Sequence, residues 1–166
     1  MNYTKINQEA VKTIMDGGKY GFNVPGYWDG EYLIVTFDGF MAYFLPKDKV
    51  VFGNEKIKDI GKVLPDIEKI KQPENEIHLT KTYVDGGTMK SLLRVFRGSR
   101  NGKSWKVYID TRMLKPLAKE EYLVSFYQDY DVNADMSTKP IFAFLPSGTP
   151  LMALLPVRVL DEEEFD

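Results

Sequence analysis

The stretch Trp105-Lys-Val-Tyr-Ile-Asp-Thr-Arg-Met-Leu-Lys-Pro-Leu-Ala118, with the apolar runs behind it, decides how this chain is read. Trp105–Ile109 alternates as a half-buried strand does. Thr111 can cap a helix over Arg112–Lys119, with Met113, Leu114 and Leu117 turned inward and Pro116 about where the first turn ends. Strands follow at Tyr122–Gln128, Pro140–Leu145 and Leu151–Val159, the last two around the turn Pro146-Ser-Gly-Thr149. Residues 129–139 between them are a polar loop. The order is strand, helix, then strands.

The N-terminal residues trace the same path. Tyr3–Ile6 reads as an edge strand, and Asn7 offers an N-cap oxygen to a helix over Gln8–Asp16. Its apolar stripe is Ala10, Val11, Ile14 and Met15, and Gly17-Gly18 ends it. Glu31–Phe37 and Phe40–Leu45 flank Asp38-Gly39, a two-residue hairpin signal. Both runs are apolar on both faces, so one face is expected to meet the helix and the other a second sheet or a partner.

The middle of the chain is less regular. Ile57, Ile60 and Leu64 mark a helical turn or two cut by Pro65, and Ile77–Val84 reads as a strand. Thr88 opens a helix over 88–97 with the stripe Met89, Leu92, Leu93 and Phe96, closed by Gly98–Gly102. A strand hairpin across 89–109 is the competing reading. The expected fold is α+β with antiparallel sheets: one domain over 1–166, built from two strand–helix–strands half-repeats at about 3–50 and 105–159. Residues 51–104 are the remodelled middle, and 161–166 an unfolded acidic tail that keeps the chain in solution.

Composition narrows the chemistry. With 166 residues and 43% hydrophobic content the chain can build one real core, and ten Phe, ten Tyr and two Trp favour sheet. Cysteine is absent and His78 is the single histidine, so thiolate chemistry, histidine dyads and ordinary zinc sites are unavailable. Asp129, Asp131 and Asp135 lack the glycine and glutamate of a calcium loop. No enzymatic activity, cofactor or metal is expected. No apolar run reaches the ~20 residues of a membrane span, and the N-terminus lacks a signal-peptide core, so a cytoplasmic protein is expected. A net charge of −2 leaves any nucleic-acid binding to a local patch.

Several of these residues carry a family likeness. Lys106–Ala118 resembles the strand–helix entry of the last half-domain in bacterial DNA sliding clamps, the processivity subunits of replicative polymerases. Phe142-Ala-Phe144 and Leu151-Met-Ala-Leu-Leu-Pro-Val-Arg158 resemble the closing strands, with their apolar–Pro–apolar–Arg signature. Tyr3–Ile6, the helix 8–16 and Asp29–Phe37 fit the first half. Gly61-Lys-Val-Leu-Pro-Asp66 is similar to the turn between half-domains, with Leu64 in place of its aromatic. The likeness covers roughly two thirds of the chain. It implies a clamp-like fold, a non-enzymatic association with DNA or replication partners, and a phage or mobile-element source. The chain has length for one such domain where clamp subunits carry several, so a ring would take several copies as a homo-oligomer. The alternative is a protein-interaction or regulatory module that keeps the fold without ring closure or DNA contact.

Two features bear on partners. From Gly86 to Ile109 stand Lys90, Arg94, Arg97, Arg100, Lys103 and Lys106 with no acid, a cluster able to neutralise the phosphates of duplex DNA or simply to be a solvated face. In a helix, Lys90, Arg94 and Arg97 would form one stripe opposite the apolar one. By the resemblance, clamp helices line the hole, which adds Lys12, Lys19, Arg112, Lys115 and Lys119 as DNA-binding candidates. Ala153, Leu155, Pro156, Val157 and Arg158 would border a cleft for polymerase-type peptide motifs, proline near a strand end marking an edge. A core strand ending in arginine is the plainer reading of the same residues.

Overall fold

Strands form here where apolar or alternating runs meet turn residues, and in this computed structural model nine join into one sheet among the described residues. Those residues are 1–15, 27–28, 32–36, 40–52, 69–70, 72, 74–86, 93–117 and 123–159. The chain runs through helix α1 (Tyr3–Met15) and then β1 (Tyr27–Trp28), β2 (Tyr32–Thr36) and β3 (Met41–Pro46). It continues through β4 (Glu76–Gly86), β5 (Leu93–Arg100), β6 (Lys103–Asp110), β7 (Ser125–Asp129), β8 (Ile141–Phe144) and β9 (Pro150–Leu154). Short 3-10 helices lie at Lys47–Lys49, Thr111–Leu117 and Met136–Thr138. The sheet order is β1-β2-β3-β9-β8-β7-β4-β5-β6, antiparallel at every pairing. The architecture is mixed α+β. No described helix is long and apolar enough to cross a membrane.

Register explains why β2 and β3 are apolar on both faces. Leu33 opposes Leu45 and Val35 opposes Tyr43, all four joining the main core with Ile6 and Ala10 of α1. Ile34 and Phe44, a facing pair, join Ala42, Phe142, Ala153 and Ile70 in a second cluster. Strand alternation sends successive side chains to opposite faces, so both clusters need one strand pair. Phe44, Phe96, Phe126 and Phe142 are fully buried, each contributing ~1.5–3 kcal/mol over exposure. The two ends of the chain meet where β3 pairs with β9, Met41 facing Leu154 and Tyr43 facing Met152. β4 uses its first half against β7 and its second against β5, with an irregular register between Lys81 and Asp85.

Several expectations are corrected. Tyr3–Ile6 is the first turn of α1, not a strand: Asn2 accepts from Lys5 N–H at 3.0 Å through Oδ1, supplying the cap. Asn7, expected as that cap, lies inside the helix and is buried. Its Nδ2 donates to the carbonyls of Tyr3 (3.0 Å) and Lys49 (2.7 Å), and its Oδ1 accepts from Val51 N–H (3.2 Å). Residues 93–97 are strand rather than helix, paired with β6 from Leu93–Asp110 to Arg100–Lys103. The turn is Asn101-Gly102, both at positive φ (52° and 75°), the two-residue loop that closes a twisted hairpin with least strain. The helix expected at 112–119 is a 3-10 helix over Thr111–Leu117, tightened around Pro116. The Arg112 amide donates to Asp110 Oδ1 at 2.9 Å, so Asp110 supplies a capping bond where Thr111 was expected to. β9 stops at Leu154, before Pro156, and the chain continues outside the strand.

Ile77–Val84, Trp105–Ile109 and the hairpin of β2 and β3 fall where they were expected. The turns at 17–18, 29–30 and 38–39, the segment 53–68, residues 87–92 with Lys90, and the tail 161–166 lie outside the described residues.

Candidate nucleic-acid interface

The basic run is a hairpin, and alternation divides its cations. Phe96 of β5 points into the main core, so Arg94, Gly98 and Arg100 share that inner face with Ile109, Trp105 and Lys103 opposite them. Leu93 and Val95 pack with Tyr108 beneath Val157 and Val159, so Arg97 and Ser99 share the outer face. There Arg97 opposes Lys106 and Ser99 opposes Ser104. The stripe of Lys90, Arg94 and Arg97 expected from a helix therefore does not form: Arg94 is half-buried inside and Arg97 exposed outside.

The inner face near the turn is a brace. Gly98 leaves room for the Trp105 indole, which a Cβ would meet at 2.5 Å. Trp105 stacks on Tyr130 with centroids 6.1 Å apart, and the Arg100 guanidinium lies over the Tyr130 ring at 4.7 Å. Trp105 Nε1 donates to Gln128 Oε1 at 2.8 Å. Gln128, fully buried, donates in turn to the carbonyls of Met136 (2.9 Å) and Lys139 (3.0 Å). That bonding holds the 136–138 helix against the hairpin. Arg100 is thus committed to the fold, while Arg97 and Lys103 are open to solvent.

On the outer face the 136–138 helix bounds a polar cavity of about 580 Å³ lined by Arg97, Lys106, Ser99, Ser104, Asp135 and Ser137. A second cavity, of about 430 Å³, shares Asp135 and Ser137 and adds Tyr108, Thr138 and Arg158. Asp135 accepts from Ser137 N–H at 3.0 Å and from Ser137 Oγ at 2.7 Å. Those bonds, with a smaller contribution from the Arg158 charge, hold its carboxyl below the usual carboxylate range.

The remaining candidates scatter. Lys12 is exposed on α1, and Lys115 is exposed on the 111–117 helix. Arg112 is bound to Asp110, Nε lying 3.0 Å from both carboxylate oxygens, so its charge is largely matched locally. α1 and the 111–117 helix pack on the same core through Ile6, Ala10, Leu114 and Leu117. Lys19 and Lys119 lie outside the described residues. Of the residues assigned to a peptide cleft, Ala153 is buried in the second cluster, 5% exposed. Val157 closes the third cluster and donates its N–H to the Tyr108 carbonyl at 2.8 Å. Pro156 is half-buried. Leu155 is 38% exposed and donates its N–H to the carbonyl of Phe40, itself 59% exposed. Arg158 lines the second of the two polar cavities.

Ser99 and Ser104 were findable once Asn101-Gly102 was read as a hairpin turn, since a two-residue loop fixes their pairing. Asp135, Ser137 and Thr138 reach the site through Gln128, a contact that leaves no local pattern in sequence. Among the described residues no group of three or more His, Asp or Glu side chains is placed to hold a metal. Comparison with family models, curated proteins and solved structures returns no match.

Proposed function

We propose that this chain is a non-enzymatic nucleic-acid-associated protein of clamp-like build that holds the phosphate backbone with the β5–β6 hairpin. One observation carries this reading: the hairpin leaves Arg97 and Lys103 exposed and has no carboxylate between Leu93 and Ile109. Such a surface gains affinity by releasing counterions and does not read base sequence. By the resemblance to sliding clamps, Lys12 of α1 and Lys115 of the 111–117 helix, both exposed on helices that pack on the main core, are further candidates for phosphate contact.

The test is salt-dependent binding to duplex and single-stranded oligonucleotides. Arg97→Glu with Lys103→Glu should weaken binding by at least about tenfold and flatten the dependence of log K on log salt by about two phosphate equivalents. Unchanged affinity and slope would refute the hairpin as the interface. Sedimentation of the same samples reports whether several copies assemble.

The exposed pair Phe40 and Leu155, joined by a backbone hydrogen bond, favours a second reading as a protein-docking module. Leu155→Asp abolishing the binding of an apolar peptide motif, with nucleic-acid binding intact or absent, would support it.

A further inference from the structure

The sheet carries a second surface that the hairpin reading leaves unused. Phe126 of β7 and Ile77 of β4 point into the main core, so Tyr127 and Glu76 lie on the opposite face, with Phe144 of β8. The order β8-β7-β4 sets Tyr127 between its neighbours, its ring 5.1 Å from His78 and 5.7 Å from Phe144. Tyr127 and Phe144 meet edge to face at 79°, forming a corner. Together with Ile70, Leu145, Pro146 and the Glu76 carboxylate they line a cavity of about 250 Å³.

The acids at this corner lack partners. Glu76 is directly opposed to Asp129 across β4 and β7, and like charges at cross-strand distance cost stability. Lys139 Nζ reaches Asp129 Oδ2 at 3.4 Å, whereas Asp129 Oδ1 is buried and accepts no hydrogen bond. Glu76 is exposed and forms no ion pair among the described residues. One ammonium thus serves two opposed carboxylates, and Glu76 lines the cavity without a counterion.

A cation placed here is drawn both to the ring faces and to Glu76. A bare ammonium is compact and strongly hydrated, and apolar walls would strip its water against a single carboxylate. A quaternary ammonium spreads its charge under methyl groups, the cation that aromatic corners take best. The volume lies below the roughly 300–1,000 Å³ of pockets for drug-sized ligands, so a head group fits it. We infer that this pocket binds a quaternary ammonium group, carried by a small choline-like molecule or by a trimethylated lysine side chain. The site does not depend on the hairpin's binding nucleic acid.

The full chain is titrated by calorimetry with choline, with its neutral carbon isostere dimethylbutanol, and with one peptide whose lysine is trimethylated or unmodified. Choline should bind at least about tenfold tighter than the isostere, and the trimethylated peptide tighter than the unmodified one. Glu76→Gln should weaken the charged ligands about two- to fivefold and leave the isostere unchanged. It also removes an opposed charge, so its urea midpoint should not fall, which separates lost binding from lost fold. Tyr127→Leu should weaken the charged ligands about five- to thirtyfold. Binding of choline alone supports the site with a small molecule as its ligand, and binding of the trimethylated peptide alone supports it with a protein side chain. Equal binding of charged and neutral probes, indifference to Glu76→Gln, or no saturable binding of any probe overturns the inference.

Discussion

Gln128→Leu removes a side chain that ties the hairpin, the 136–138 helix and Lys139 together, at nearly constant volume. Gln128 makes three hydrogen bonds, accepting from Trp105 Nε1 and donating to the Met136 and Lys139 carbonyls, all between 2.8 and 3.0 Å. Each net hydrogen bond is worth ~0.5–1.5 kcal/mol, and a partner left buried without a substitute costs ~1–3 kcal/mol. Met136 is buried, whereas Trp105 and Lys139 are half-buried, so water can replace part of what they lose. The expected destabilisation is ~3 kcal/mol. In urea, at ~1–3 kcal/mol per molar, the midpoint should fall by about 1–3 M. Trp105→Phe removes the indole donor alone, so a double-mutant cycle with Gln128→Leu should show coupling of about 1 kcal/mol. Gln128→Glu sharpens the test. An introduced carboxylate would face two carbonyls, which raises its folded pKa above the unfolded value of ~4.3. Its variant should therefore be relatively stable in acid and lose stability as pH rises. A Gln128→Leu midpoint within the error of the parent, or no coupling to Trp105, would refute the role of this residue as the organiser of the site.

Three further outcomes follow from the packing. Asn7→Leu leaves the Lys49 carbonyl and the Val51 amide without their partner and should cost ~2–3 kcal/mol in a urea melt, loosening α1 from residues 49–51. Gly98→Ala places a methyl 2.5 Å from the Trp105 ring, and overpacking of that kind should cost ~1–3 kcal/mol and shift tryptophan emission as the indole moves. The Asp110 carboxyl is held below its usual range, first by the Arg112 side-chain hydrogen bond and then by the Arg112 amide and charge, against some burial. A depressed carboxylate gives stability that is present above its unfolded pKa and is lost as pH falls through the folded one. Acid unfolding below about pH 4 should therefore carry an Asp110 component that Arg112→Ala reduces, and identical acid limbs would count against it.

How much of this could be read beforehand depended on whether local pattern and tertiary pairing agreed. Tyr32–Thr36 and Met41–Pro46 are β-formers on both faces about a tight turn, and their fate was legible. At residues 89–97 two patterns coexist. Met89, Leu92, Leu93 and Phe96 fit a helical stripe, while Leu93, Val95, Phe96 and Val107 fit two faces of a hairpin. The hairpin wins because Asn101-Gly102 supplies both positive φ values and β6 supplies a partner for every residue of β5. At the N-terminus Asn2 and Asn7 are equally good caps by type. Helix length decides, since starting at Tyr3 lets Ile6 and Ala10 bury together on the core and turns Asn7 to the 49–51 backbone.

The same distinction governs the candidate site. A helix repeats its faces every third and fourth residue, so Arg94 and Arg97 would have stood together and made a basic stripe by themselves. A strand repeats every second residue, and the three-residue spacing puts Arg94 and Arg97 on opposite faces. Arg97 is then alone on β5, and its companions come from elsewhere: Lys106 by register with β6, Ser137 by the Gln128 brace, and Arg158 by the C-terminal segment that covers Leu93 and Val95. A cluster assembled from three distant parts of the chain depends on each being held. That is why Gln128→Leu, which touches no cation, should loosen the grouping of Arg97, Ser137 and Arg158 as well as the fold. Loss of salt-dependent oligonucleotide binding in that variant at a urea concentration where it remains folded would show the coupling directly. Binding kept intact under those conditions would mean the strands alone position the charges.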